Sequence, residues 1–161
     1  MKTQKEIISL ISEIPDPEIP VITIEELGIL RDVKVDGNDV EVTITPTYSG
    51  CPAMKQIEND IVARLKENGI ENVKMKMVYA PAWTTDWIPE KAKEKLRKYG
   101  ITPPEKTTSD KGALMGKKRV LECPRCGSKN TVMISQFGST ACKALFQCND
   151  CKEPFDYFKC I

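Results

Sequence analysis

The 161-residue chain contains no histidine. That absence removes the usual general base at neutral pH, every Ser-His or Cys-His pair and every imidazole ligand. Any transition-metal site must therefore be built from cysteine or carboxylate. No apolar run approaches the roughly 20 residues of a membrane span. Met1-Lys2-Thr3-Gln4-Lys5-Glu6 lacks the apolar core and cleavage site of a secretory signal, so a cytoplasmic location is expected. A strong charge of one sign is also missing. Residues 1–100 carry 14 Lys+Arg against 17 Asp+Glu, and residues 101–161 carry 10 against 6. Four thiolates on a divalent metal would bring the tail near +2, too little for a strong nucleic-acid footprint. An aromatic-basic strand face is absent too, which argues against a nucleic-acid module.

What is present in quantity is cysteine near the end. Six of the seven cysteines lie after residue 120. In a reducing compartment such clustering points to metal before disulfide. Cys123-Pro124-Arg125-Cys126-Gly127 and Cys148-Asn149-Asp150-Cys151 are two C-x-x-C knuckles separated by 21 residues. Short strands are expected over 131–136, 144–147 and 155–159. This is a zinc-ribbon pattern, in which four thiolates occupy tetrahedral corners about 2.3 Å from the metal. Four ligands and no vacancy make a structural site. A segment this short builds little core, and the metal replaces it with on the order of 10 kcal/mol of folding free energy. Redox dithiols and disulfides are the alternatives, and iron competes with zinc for the same four sulfurs. Cys142 and Cys160 are left over, as apolar fillers or as a second soft-metal or redox pair, with or without Cys51.

The rest of the chain is organised around Thr45-Pro46-Thr47-Tyr48-Ser49-Gly50-Cys51-Pro52-Ala53. Before it, Val40, Val42 and Ile44 alternate with polar residues, as in a half-buried strand. After it, Met54, Ile57, Ile61 and Leu65 recur at helical spacing. Pro52 suits the first helical position, and Gly69 a left-handed stop. Cys51 is then the N-cap, facing unpaired N–H groups and the positive end of the helix dipole, where a thiolate is favoured. The plainer reading is a small buried cysteine at a turn.

Thr3 and Glu6 form a capping box opening a helix over 3–14. Pro15-Asp16-Pro17-Glu18-Ile19-Pro20 follows as a stiff extended segment carrying two carboxylates, Asp16 and Glu18. Read plainly, it is a solvated linker. Thr23 and Glu26 repeat the capping box over one helical turn ending at Gly28. Strands are expected at 29–35, 40–45 and 73–77, with a hairpin turn at Asp36-Gly37-Asn38-Asp39. Trp83 and Trp87 read as lids on a small sheet or over the Cys51 turn, and 88–99 as a helix. The expected fold is α+β: a mixed α/β sandwich with a three-stranded sheet over 1–100, a linker over 101–117, and an all-β four-Cys zinc ribbon over 118–161.

Asp16-Pro17-Glu18-Ile19-Pro20, Glu26-Leu27-Gly28-Ile29-Leu30 and Thr47-Tyr48-Ser49-Gly50-Cys51-Pro52 resemble the α/β domain of SufT-type iron–sulfur assembly factors, over roughly residues 3–90. With the knuckles, Phe137 to Leu145 and Glu153 to Cys160 added, the whole chain resembles the D-subunit family of bacterial phenylacetyl-CoA epoxidases. The resemblance implies a non-catalytic accessory of a multicomponent oxygenase in phenylacetate catabolism. Its client would be the di-iron oxygenase, the iron–sulfur flavin reductase or both, and its role the insertion of iron or a cluster. It carries Cys51 over as the functional cysteine and Asp16 as the acidic residue of the first motif. Glu18 stands beside them. One cysteine is too few for a cluster. The other ligands would come from a second copy in a homodimer, from Cys142 and Cys160, or from the client. A thiol-dependent enzyme using Cys51 is the competing reading, and the missing histidine argues against it.

Overall fold

The capping boxes expected at Thr3 and Thr23 are both realised in the computed structural model, which describes residues 1–104 and 120–158. The chain divides into two units, Met1–Trp83 and Thr84–Ile161. In the first, Thr3 and Glu6 close their capping box around helix α1, Gln4–Ser12. The helix stops before residue 14 because Ile14 precedes Pro15, and a residue before proline is pushed out of the helical region. Strands β1 (Leu30–Asp36) and β2 (Asp39–Ile44) form an antiparallel hairpin with Asp36 opposite Asp39. Gly37 sits at φ 60° in its two-residue turn, where a β-carbon is disfavoured.

Helix α2 (Ala53–Glu67) then crosses over to β3 (Asn72–Met77), which pairs parallel with β2. The sheet order is β1-β2-β3, three strands as expected. Helix α2 buries Met54, Ile57, Ile61 and Leu65 and packs on α1 and β3. Val40, Val42 and Ile44 supply the sheet's share of the core. Trp83 is buried, and its indole Nε1 donates to the Leu27 carbonyl at 2.7 Å. It therefore closes over the turn at Glu26–Gly28.

The second unit begins earlier than position 118. Helix α3 (Glu90–Tyr99) and a two-residue strand β4 (Ile101–Thr102) belong to it. Ile101 and Thr102 pair parallel with Asp156 and Tyr157. The Thr102 hydroxyl donates to the Glu122 carbonyl at 3.3 Å. The linker expected from 101 thus starts with a two-residue strand that joins the sheet of the strand-rich region. A pair of residues is too short to carry a periodic signal, so only tertiary pairing reveals it. The remainder of that linker, residues 105–117, lies outside the described residues.

Strands β5 (Thr131–Ser135), β6 (Lys143–Cys148) and β7 (Pro154–Phe158) complete an antiparallel set, and the sheet order is β4-β7-β6-β5. Its core is small: Leu121, Ala144, Phe146, Phe155 and Tyr157 gather with Cys123 and Cys148. Phe146 stacks on Phe155 and meets Tyr157 edge-on, each at 5.9 Å between centroids. Among the described residues no helix is long and apolar enough to cross a membrane.

Ile61 is fully buried on α2. Ile61→Ala is expected to cost about 2–5 kcal/mol, read as a lower urea midpoint for the first unit's helical signal.

Candidate functional site

Two cysteine sites emerge, one in each unit. The first is the turn before α2. Tyr48 O accepts from Cys51 N at 3.3 Å, and Cys51 O accepts from Met54 N at 3.3 Å. The Cys51 sulfur accepts from the Ala53 N–H. One residue thus satisfies two of the donors that a helix start leaves unpaired. Pro52 occupies the cap position itself. The sulfur sits one residue earlier than the spacing suggested, and still faces the helix start. Gly50, at φ 77°, makes the reversal that brings it there.

The ionisation expected at this sulfur is not what the surroundings produce. Cys51 is half-buried. Burial pushes its thiol above the ordinary range, the Ala53 N–H works against that, and the negative charge of Glu18 pushes it up again. Hydroxyls of Tyr48 and Thr47 oppose the rise without reversing it. Desolvation penalises the charged form, and one dipole end with three donors does not repay it here. The surroundings of Cys51 therefore favour the thiol, against the thiolate that the helix dipole alone would favour.

The two carboxylates of the proline segment part company. Asp16 is buried, and its Oδ1 accepts from Glu18 N at 2.9 Å and Ile19 N at 2.8 Å. Asp16 N bonds Ile22 O at 2.9 Å, and Ile24 N bonds Ile14 O at 2.9 Å. Residues 15–23 thus close into a tight loop rather than an extended linker, and Asp16 is its internal brace. Glu18 is half-buried, and its charge is the one felt at the Cys51 sulfur. Thr47 and Tyr48 were missed by sequence reasoning as partners of the thiol. Their position just before Gly50-Cys51-Pro52 was the available signal.

The second site is the quartet Cys123, Cys126, Cys148 and Cys151. Their sulfurs all lie within 4.8 Å of one another. Cys123 and Cys151 are 3.7 Å apart, and Cys126 and Cys148 are 3.6 Å apart. A tetrahedron with metal–sulfur bonds of about 2.3 Å has edges of about 3.8 Å, so the set fits one metal ion. Each knuckle turns on a left-handed residue, Gly127 at φ 73° and Lys152 at φ 64°. Cys123 N bonds Ser128 O at 2.8 Å, and Cys148 N bonds Glu153 O at 3.0 Å.

Backbone N–H groups point at the sulfurs, as the knuckle pattern implies. The N–H of Cys151, aided by that of Asp150, pulls the Cys148 thiol down to about 7 against burial. At Cys126 the Ser128 N–H favours the thiolate, but the Cys148 sulfur, burial and the other two sulfurs push the thiol up to about 12. Four crowded sulfurs cannot all ionise unless a cation joins them. The knuckles are tied together by residues that sequence reasoning did not single out. Ser128 Oγ donates to Asp150 Oδ2. Asn130 Nδ2 donates to Asp150 Oδ1 at 2.9 Å, and Asn149 Nδ2 to Asn130 Oδ1 at 3.0 Å. The polar residues flanking the cysteines, Ser128 to Asn130 and Asn149-Asp150, were the signal.

Cys142 stands apart from the quartet. It is buried, with its sulfur 3.0 Å from Thr140 Oγ1. Cys160, its expected partner, lies outside the described residues.

Residues 4–78 match the family of iron–sulfur cluster assembly proteins, and residues 107–159 match the PaaD zinc beta ribbon domain. The class is thus an assembly-type α/β domain followed by a zinc β-ribbon. A crystal structure of a DUF59 domain from Bacillus anthracis shares the fold of the first part, with TM-score 0.53 and 29% identity over 58% of this chain and 90% of that one. The Fe-S protein maturation auxiliary factor of Porphyromonas gingivalis (strain ATCC BAA-308 / W83) is 32% identical over 57% of this chain and 89% of its own length. The putative D-subunit of the 1,2-phenylacetyl-CoA epoxidase of Escherichia coli (strain K12) is 49% identical over 97% of this chain and 92% of its own. The chain belongs to the PaaD family, the D-subunits of phenylacetyl-CoA epoxidases.

Three outcomes are expected. Replacing Cys148 by Ser removes the bound metal and the near-ultraviolet signal of the Phe146–Tyr157 cluster, while the α2 helix persists. In metal-loaded protein, the alkylation rate of Cys51, followed by peptide mass spectrometry, rises with pH later than that of a free cysteine. Glu18→Gln removes a negative charge, lowers the thiol's pKa and shifts that profile to lower pH.

Proposed function

We propose that this chain is a cytoplasmic, non-catalytic maturation factor for a phenylacetyl-CoA oxygenase, passing iron or an iron–sulfur cluster to its clients. The client is the di-iron oxygenase, the iron–sulfur flavin reductase or both. The observation that carries the reading is the half-buried Cys51 at the start of α2, with Glu18 close enough to be felt at its sulfur. Membership of the PaaD family and the assembly-domain match support it.

A protonated resting thiol suits a transfer ligand better than a nucleophile. The thiolate is the reactive and metal-binding form, so a thiol held protonated resists oxidation and stray ions. Arriving cargo displaces the proton, and Glu18 stands near to receive it. Asp16 serves by holding the loop that carries Glu18. The four-sulfur site takes zinc as a permanent structural ion, because its ligand set is complete and leaves no position for cargo. Cys142 takes no part in this reading.

The test is complementation of a strain lacking the gene, grown on phenylacetate. Cys51→Ser is expected to abolish growth, and to lower the iron content of the purified oxygenase or reductase at least tenfold, while zinc stays bound. Full growth with Cys51→Ser overturns the carrier role.

A further inference from the structure

We propose that the cargo of Cys51 is a single ferrous ion, held between its sulfur and the Glu18 carboxylate, and not a preformed iron–sulfur cluster. The proposal rests on the carrier reading above and narrows what is carried. Cluster irons take four soft protein ligands, thiolate or imidazole. The first unit, Met1–Trp83, contains one cysteine, and the whole chain contains no histidine. The quartet is full once its own ion is bound. Cys142 is buried in the second unit, with its sulfur at Thr140 Oγ1. Two copies meeting at the Cys51 turn would bring two thiolates, half of what a cluster needs.

The side chains that act on the sulfur are all oxygen donors. The charge of Glu18 reaches it, and the hydroxyls of Thr47 and Tyr48 turn toward it. Thr47 is 9% exposed, and among the described residues its hydroxyl has no partner besides this sulfur. A buried hydroxyl aimed at one sulfur has a lone pair to spare for an ion seated there. One soft sulfur among hard oxygens is a poor seat for a cluster and a suitable one for a divalent ion of intermediate softness. Of such ions, iron is the one the carrier reading requires. Charge agrees with the count. A thiolate and a carboxylate cancel two positive charges, so the loaded site is neutral, the state that half-burial penalises least. Asp16 holds the second ligand in place, because its Oδ1 accepts from Glu18 N at 2.9 Å.

Loading moves no electrons. The Cys51 S–H bond breaks, a sulfur–iron bond forms, and the proton passes by way of Glu18 to water, after which the carboxylate takes the ion. Iron stays ferrous throughout. Water completes the coordination sphere and gives way to the client's own ligands on delivery.

Anaerobic titration of the zinc-loaded full chain with ferrous iron, read by equilibrium dialysis and Mössbauer spectroscopy, tests it. About one high-spin ferrous ion per chain is expected beside the retained zinc, and no cluster colour when sulfide is added. Cys51→Ser should abolish this binding, and Cys142→Ser should leave it unchanged. Glu18→Gln should weaken it by at least about tenfold, although the thiol then ionises more readily. If Glu18 acted on the thiol through charge alone, the same variant would tighten binding. Tighter or unchanged binding in Glu18→Gln overturns the proposal. So does a cluster built on Cys51 with sulfide, ferrous binding that survives Cys51→Ser or is lost in Cys142→Ser, or no ferrous binding at all. The carrier reading fails separately, on full growth with Cys51→Ser. A chain that takes a cluster while that variant still abolishes growth overturns the ferrous assignment alone.

Discussion

Four sulfurs within 4.8 Å of one another are poor neighbours without a cation, since each thiolate raises the cost of the next. A divalent ion turns that repulsion into attraction. The second unit depends on this reversal. The core cluster around the knuckles holds five apolar side chains and two of the four cysteines, far less than a domain folds on unaided. Cys123 and Cys148 are at once core residues and ligands, so packing and coordination are one event. The Ser128–Asp150–Asn130 network then spans the two knuckles. It ties one knuckle to the other.

The first unit is stabilised by ordinary means. Alternating strands, an amphipathic crossover helix and two capping boxes agree with one another, and a buried Trp83 closes the turn at Leu27. That consistency leaves one group out of place: a sulfur held half inside, with donors on one side and a carboxylate's charge on the other. Pro52 holds the cap position of α2 and offers no side-chain cap, so the Cys51 sulfur takes one of the donors left open there.

Local signals were read well and long-range ones were not. The caps at Thr3 and Thr23, the Asp36–Asp39 hairpin and both knuckles depend on residues three or four apart. Their physics is complete within a few positions of sequence. The ionisation of Cys51 depends instead on how deeply the folded chain buries it and on Glu18, thirty-three positions away. Helix position alone argued for a thiolate, and desolvation outweighed it. Asp16 shows the same limit in reverse. Its neighbours looked like a solvated segment, yet two backbone N–H groups fold onto it, and it is buried. Strand β4 was invisible because its only signal is its partner β7.

On the proposed reading, the two cysteine sites divide the chemistry between them. A four-thiolate site is coordinatively full, so whatever it holds stays there. A lone thiol with a nearby carboxylate is the opposite: too few ligands to retain a metal or cluster against a client, and too well protonated to seize one unprompted. Affinity that is deliberately incomplete is what transfer requires, because a carrier that binds as tightly as its recipient delivers nothing. On this view the raised thiol is part of the mechanism, since the proton that must leave when cargo binds is the same proton that drives the cargo off when it returns.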